Sequence, residues 1–189
     1  MNTYDWKKNS FDKIFSFLLI VFLFPIMLLS FIAASIDTSS FGIFFQKRIG
    51  QGGLPFVIFK LKTMHPQTKN ISKTGAFLRK SKLDELPQLY NIFLGEMSFV
   101  GPRPDVSGYY DVLTGEDRKV LALKPGLTSE ASLKYSNEEY LLSQQENPLQ
   151  YNDEVIFPDK IKMNLNYLDH QSFALDMKII LKTIFKVFS

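Results

Sequence analysis

Arg103 stands between two prolines in Gly101-Pro102-Arg103-Pro104, and Asp84 and Glu85 stand side by side in Leu83-Asp84-Glu85-Leu86-Pro87. Each pattern can do chemistry. The prolines fix the backbone on both sides of one guanidinium, and Gly101 permits a tight approach. That device suits bidentate recognition of a phosphate. A surface turn with an exposed arginine is the alternative, but rigid flanks serve no packing purpose around a solvated side chain. The acidic pair leads into an apolar run over 85–95 that reads as a helix. Pro87 then falls in its first turn, where no intrahelical N–H is needed. Asp84 lies at or near the N-cap, and Glu85 is a first-turn acid favoured by the helix dipole. Spacing alone leaves capping and catalysis both open for Asp84. Gly50-Gln51-Gly52-Gly53 could cradle a phosphate, yet the spacing is not that of a Walker loop, and turn chemistry accounts for at least two of these glycines.

The rest of the composition narrows the chemistry. The 189 residues contain no cysteine and only two histidines, His65 and His170, far apart in the chain. Disulfides, thiolate metal sites and a histidine zinc site are excluded, so any metal is a hard, oxygen-bound cation such as Mg²⁺. A formal charge of +3 does not fit a strongly polybasic nucleic-acid binder, and no nucleic-acid partner is expected.

Several elements must position these residues. Segments 43–49 and 56–62 are rich in β-branched and aromatic residues and flank the glycine loop, so they predict two strands of a hairpin. Residues 74–80 suggest a short helix. Residues 111–160 look loop-rich and polar, with helical patches such as 137–145, and 124–128 (Lys-Pro-Gly-Leu-Thr) reads as a turn. Residues 173–188 predict a basic amphipathic helix. Lys178, Lys182 and Lys186 recur every four residues, with Phe173, Met177, Ile180, Ile184 and Phe188 on its apolar side. Such a helix lies either in a membrane interface or on a core with a solvated lysine edge.

The chain is 46% hydrophobic with 18 phenylalanines, and much of this is concentrated near the start. From Ile14 to Ile36 there is no charge, about 23 residues, enough for a membrane helix. A cleaved signal peptide fits poorly, since Ala33-Ala34-Ser35 is its only candidate cleavage site. Basic residues flank both ends: Lys7, Lys8 and Lys13 before, Lys47 and Arg48 after. The positive-inside rule places both ends in the cytosol. A helix broken at Pro25 can enter and return, so a re-entrant hairpin is expected, with a kinked span as the alternative.

Taken together these segments resemble the monotopic phosphoglycosyl transferases, bacterial sugar transferases that begin glycan assembly on a polyprenol carrier. The resemblance runs through Phe45-Gln46-Lys47-Arg48-Ile49-Gly50 and Phe59-Lys60-Leu61-Lys62-Thr63-Met64. It is strongest in 83–91 (Leu-Asp-Glu-Leu-Pro-Gln-Leu-Tyr-Asn) and 95–104 (Gly-Glu-Met-Ser-Phe-Val-Gly-Pro-Arg-Pro). It implies an α+β protein: a small, mostly helical cytosolic domain (41–189) with a short β-hairpin, on an N-terminal re-entrant membrane helix (1–40), with interfacial amphipathic helices. It also implies a bacterial inner-membrane location facing the cytoplasm, among membrane lipids.

The implied reaction is attack by Asp84 on the β-phosphate of a UDP-sugar, with release of UMP and a covalent phosphosugar-aspartate. Undecaprenyl (polyprenol) phosphate then takes the phosphosugar. Mg²⁺ is required, with Asp84 as its ligand. Glu85 is a general base or orients the acceptor, and Arg79 and Arg103 clamp phosphate. Lys47, Arg48, Lys60 and Lys62 are weaker candidates for phosphate contacts. Two departures stand out. Phe24 precedes Pro25 where the family often has serine, and the run after Gly126 differs from many relatives, so sugar identity does not carry over. Monomer and homodimer both stay open. A silent binder would gain little from Asp84-Glu85 beside a diphosphate unless a metal intervened, and a basic scaffold would not need the rigid Arg103 loop.

Overall fold

The computed structural model describes residues 3–188, with side chains from 4 to 186, so the Phe188 side chain expected on the last helix lies outside the described residues. Two compact units form. The first comprises residues 1–48 and 55–97, the second 49–54 and 98–189.

Helix α1 (Thr3–Asp37) dominates the first unit. Its 35 residues extend about 52 Å. Among the described residues it is the one helix long and apolar enough to cross a membrane. One stripe is buried and partly small or polar: Asp12, Ser16, Ser30 and Ala34. The remaining circumference is apolar and exposed, from Phe17 and Leu18 through Phe22 to Leu29 and Ile36. That inverts the usual soluble pattern, in which the polar face is the exposed one. The break expected at Pro25 is not seen; the helix continues through it. A proline costs a helix one hydrogen bond and a local clash, and the turns on either side can hold the helix together.

The C-terminus of α1 is tied down. Thr38 Oγ1 donates to Ala34 O (2.7 Å), and Gly42 N donates to Ser35 Oγ (3.1 Å). A Cβ on Gly42 would sit 2.5 Å from Ser35 Oγ, so glycine is required for this approach. The chain then forms the expected hairpin, β1 (Ile43–Ile49) with β2 (Pro55–Leu61). Gly52 and Gly53 turn it with φ of 71° and 81°, a role only glycine fills cheaply.

Helix α2 (Lys73–Lys80) is capped by Ser72, whose Oγ accepts from Gly75 N (2.9 Å) and donates to Asp37 Oδ2 (2.7 Å). Helix α3 (Gln88–Leu94) follows and ends at Gly95. The core of the unit is Ala34, Leu61 and Leu78, with Phe31, Ile43 and Leu83 packed against it. Full burial of each leucine there is worth roughly 1.5–3 kcal/mol.

In the second unit β3 (Ser98–Val100) pairs in parallel with β4 (Gly126–Thr128), Ser98 opposite Gly126 and Val100 opposite Thr128. Residues 126–128, expected as part of a turn, are therefore a strand. Gly101 and Gly126 touch: a Cβ on Gly126 would lie 2.1 Å from Gly101 N. The region expected to be loop-rich is more helical than its composition suggests. It holds α4 (Glu130–Lys134), α5 (Glu138–Ser143), α6 (Pro148–Tyr151) and α7 (Phe157–His170).

Helix α8 (Phe173–Phe188) forms as expected, but its inward face is Asp176 and Ile179. Asp176 accepts a hydrogen bond from Tyr167 Oη. Phe173, Leu181, Ile184 and Phe185 are exposed, so the apolar side of α8 is not its core side.

Candidate active site

The chain enters the acidic pair through Lys82, a non-glycine residue in the left-handed region at φ 58°. Such a conformation costs about 1–2 kcal/mol and persists only where the surroundings impose it. A single 3₁₀ turn, Leu83–Glu85, follows. Leu86 and Pro87 hold helical angles, so the path from Leu83 to Leu94 winds continuously into α3. Asp84 caps neither turn, because neither has a side-chain cap. The capping alternative is thereby removed.

Asp84 and Glu85 are each only 9% exposed. Burial, and then the adjacent Glu85, raise the Asp84 carboxyl above its ordinary range, while Lys60, Lys82 and Arg79 pull it back. Asp84 Oδ1 is buried with no hydrogen-bond partner among the described residues. Lys60 Nζ meets Glu85 Oε1 at 3.3 Å. Arg79, in the last turn of α2, donates from Nε to Thr63 Oγ1 (2.8 Å). This bond orients the guanidinium and leaves its two terminal nitrogens for a ligand. The approach of α2 depends on Gly75, whose Cβ would lie 2.2 Å from Thr63 O.

Four of the residues expected from sequence therefore share one electrostatic neighbourhood: Asp84, Glu85, Lys60 and Arg79. The others are placed differently. Lys62 donates to Ser40 Oγ (3.1 Å), Lys47 is exposed on β1, and Arg48 donates to Gln46 Oε1 from Nε (3.1 Å) and Nη2 (2.8 Å). Arg103 is an exposed residue of the second unit, in a loop held by Gly126 N donating to Pro102 O (2.8 Å).

Three residues of the site escaped sequence reasoning. Gln88 is buried, and its Nε2 has no partner among the described residues. It follows Asp84 by four residues in a continuous helical path, so both project from one face. Asn91 is fully buried and joins α3 to β2: its Nδ2 donates to Val57 O (2.7 Å) and Glu96 Oε2 (2.8 Å), and Phe59 N donates to its Oδ1 (3.2 Å). Lys82 supplies both the strained entry and a cation. The available signal was position, since Gln88 and Asn91 lie within the same short block as Asp84.

The residues fit a hard cation in a limited way. Among the described residues no three His, Cys, Asp or Glu side chains cluster. A Mg²⁺ site built from one or two carboxylates plus substrate phosphates needs no such cluster. The unpartnered Asp84 Oδ1 is the oxygen that would serve it.

The first unit thus joins a buried carboxylate ringed by cations to a long helix with an apolar exposed surface. The chain belongs to the bacterial sugar transferase family, whose model matches residues 3–189. It is 31% identical to a UDP-glucose:undecaprenyl-phosphate glucose-1-phosphate transferase of Caulobacter vibrioides, over 95% of this chain and 69% of that one. It is 30% identical to the uncharacterized sugar transferase EpsL of Bacillus subtilis, covering 95% of this chain and 86% of the relative. A Klebsiella pneumoniae protein bearing the same name as the Caulobacter one is 33% identical, and there the match spans 94% of this chain but 39% of the relative.

Proposed function

We propose that this chain transfers a phosphosugar from a UDP-sugar to undecaprenyl or a similar polyprenyl phosphate, and so starts assembly of a glycan. The observation that carries the reading is Asp84: a buried carboxylate whose Oδ1 has no hydrogen-bond partner among the described residues, in the field of Lys60, Lys82 and Arg79. The names of the Caulobacter and Klebsiella relatives give UDP-glucose and undecaprenyl phosphate as their substrates.

Asp84, as carboxylate, attacks the β-phosphorus of the UDP-sugar. The bond from that phosphorus to the bridging oxygen breaks, and UMP leaves with the electron pair. The product is an acyl phosphate on Asp84, still open to nucleophiles. A phosphate oxygen of the polyprenyl phosphate attacks the same phosphorus, the carboxylate is released, and polyprenyl diphosphate sugar results. Phosphoryl transfer needs positioning and charge neutralisation more than covalent chemistry from the protein. Lys60 and the terminal nitrogens of Arg79 supply charge beside Asp84. Glu85, held by Lys60, orients the acceptor. Arg103 is assigned to phosphate recognition through its proline-fixed loop. Asp84 would hold Mg²⁺, which would supply charge neutralisation for the phosphates.

The protein works at the cytoplasmic face of the inner membrane, with the unbroken α1 lying shallowly in that face rather than crossing it. The packing of α1 supports this. Phe17 meets Phe93 of α3 in a tilted ring contact at 5.9 Å, and Phe31 packs against the same core as Leu83, so both ends of its apolar stretch rest on the catalytic unit. The test is UMP release from a panel of UDP-sugars with Mg²⁺, with and without polyprenyl phosphate. Mass spectrometry should find one phosphosugar on the peptide carrying Asp84 when acceptor is withheld. An enzyme that turns over while no adduct forms in wild type would exclude the covalent route.

A further inference from the structure

Asp84 and Gln88 carry two unmatched polar atoms on the path that winds into α3. Asp84 Oδ1 is buried without a hydrogen-bond partner among the described residues, and so is Gln88 Nε2. They do not bond each other, since each lacks a partner. Four residues separate them along the continuous winding from Leu83 to Leu94, so the side chains are neighbours, with Cβ atoms about 5–6 Å apart. One atom is an acceptor, and the other carries two N–H donors.

Asn91, three residues further on, gives the contrast. It is also a buried amide, and both its ends are matched: Nδ2 donates to Val57 O (2.7 Å) and Glu96 Oε2 (2.8 Å), and Oδ1 accepts from Phe59 N (3.2 Å). Where α3 uses an amide to hold the fold, that amide is satisfied. Gln88 is only 3% exposed, yet its donor meets no acceptor among the described residues. An unmatched buried donor weakens a fold, and an apolar side chain of the same shape would fill the place without that cost. The amide therefore points to a ligand, and Asp84 beside it narrows the chemistry to a group that meets the carboxylate and accepts from an N–H.

A phosphoryl group fits both demands. Its non-bridging oxygens are strong acceptors, and hydrogen bonds to them are charge-assisted. Lys60, Lys82 and Arg79 already bring net positive charge to Asp84. A further cation in place of Gln88 would pair with the carboxylate and hold it back from phosphorus. An amide offers a donor with no net charge and no proton to give up.

Building on the function proposed above, we infer that Gln88 is a catalytic residue whose Nε2 donates to a non-bridging oxygen of the phosphoryl group as it passes to and from Asp84. The bonds that form and break are those of the transfer already given; Gln88 gives a hydrogen bond and neither gains nor loses a proton. The contact exists only while phosphorus is at Asp84. It therefore acts on both half-reactions and leaves ground-state binding of the nucleotide almost unchanged.

The experiment compares the full chain in nanodiscs with Gln88→Met, which keeps the length and removes the donor. Acceptor is withheld, enzyme is in excess over UDP-sugar with Mg²⁺, and UMP is followed by rapid quench. The single-turnover rate should fall about a hundredfold. KM for UDP-sugar in full turnover should stay within about threefold of wild type. The thermal midpoint should hold or rise, since an unmatched buried donor is gone. The sharpest readout is a UDP-sugar with sulfur in place of one non-bridging β-oxygen, tested as each diastereomer. Sulfur accepts a hydrogen bond weakly, so the wild-type rate penalty for one diastereomer should shrink about tenfold in Gln88→Met. If Gln88→Met does not fold, Gln88→Glu, of nearly the same size, takes its place and should show the same losses. A folded variant with the wild-type single-turnover rate overturns the assignment. So does a slow variant with both sulfur penalties unchanged, which would make Gln88 a packing residue. Failure of the proposed function looks different, because wild type then releases no UMP. Beryllofluoride with Mg²⁺, a mimic of a phosphoryl group on a carboxylate, decides the contact in that case. A rise in the wild-type midpoint that Gln88→Met abolishes supports it, and an equal rise in both, or none in either, overturns it.

Discussion

A carboxylate attacks phosphorus as an anion, yet Asp84 is buried where ionisation is disfavoured. Desolvation and Glu85 raise its carboxyl, and Lys60, Lys82 and Arg79 only partly offset them. The consequence for stability has a definite sign. The folded carboxyl holds its proton more tightly than the unfolded one. The ionised form therefore weakens the fold, and stability falls as pH rises above 3.8 through the raised folded value. Asp84→Asn should lower turnover by at least ~10³-fold and raise the thermal midpoint at pH 7. That gain should fade as pH is lowered toward the ordinary carboxylate range. Calorimetry across pH checks it, and a midpoint at pH 7 below wild type would contradict the electrostatic account. Lys60→Met removes the strongest of the lowering charges. The acid limb of kcat/KM should then move to higher pH, and the rate at pH 7 should drop by about 10²-fold. An unmoved limb would show that Lys60 serves Glu85 alone.

At the scale of elements, the site depends on how α3 is fastened to β2. Asn91 does this with one side chain, taking the Val57 carbonyl and the Phe59 amide together. Asn91→Ala should cost about 2–4 kcal/mol, because buried backbone groups lose their partner. Urea denaturation measures it, and a loss under about 1 kcal/mol would mean the β2 edge finds other partners.

The elements legible in the sequence were those specified locally. The hairpin was visible in two apolar runs around glycines, α2 in its short helical stretch, and α8 in its lysine repeat. What escaped was set by distant contacts. Residues 126–128 look like a turn, and only pairing with Ser98–Val100 makes them a strand. The inward face of α8 follows Asp176 because Tyr167 provides a partner for it, so the apolar stripe did not predict the core side. The Asp84-Glu85 pair stood out through family resemblance, since its spacing also suits a cap. That Lys82, in the left-handed region, and not Asp84 stands at the start of the turn is a backbone property with no local sequence mark. Gln88 offered only its place in the Asp84 block, because an unpaired buried amide exists only once the chain is folded.

At the scale of the whole molecule, the question is how α1 meets the bilayer. A helix of 35 residues is longer than the roughly 30 Å hydrocarbon layer requires. An upright span would need about 20 residues clear of the polar protein. Here the stretch from Ser16 to Ala34 has one side buried, with Phe17 on Phe93 and Phe31 against the core around Leu61 and Leu78. Pulling α1 upright through the membrane would drag α3 and the buried carboxylates with it, at a cost of several kcal/mol for each desolvated charge. The exposed side of α3 is itself partly apolar at Phe93 and Leu94, which suits a shallow position for the pair. Lys7, near the start of α1, and Gln67, in the loop before α2, should therefore lie on the same side of the membrane. The chain has no cysteine, so Lys7→Cys and Gln67→Cys report cleanly. In sealed inside-out vesicles an impermeant thiol reagent should label both, and in right-side-out vesicles neither. Labelling of only one of the two in either preparation would establish a spanning helix, and α3 would then have to leave its packed position on α1.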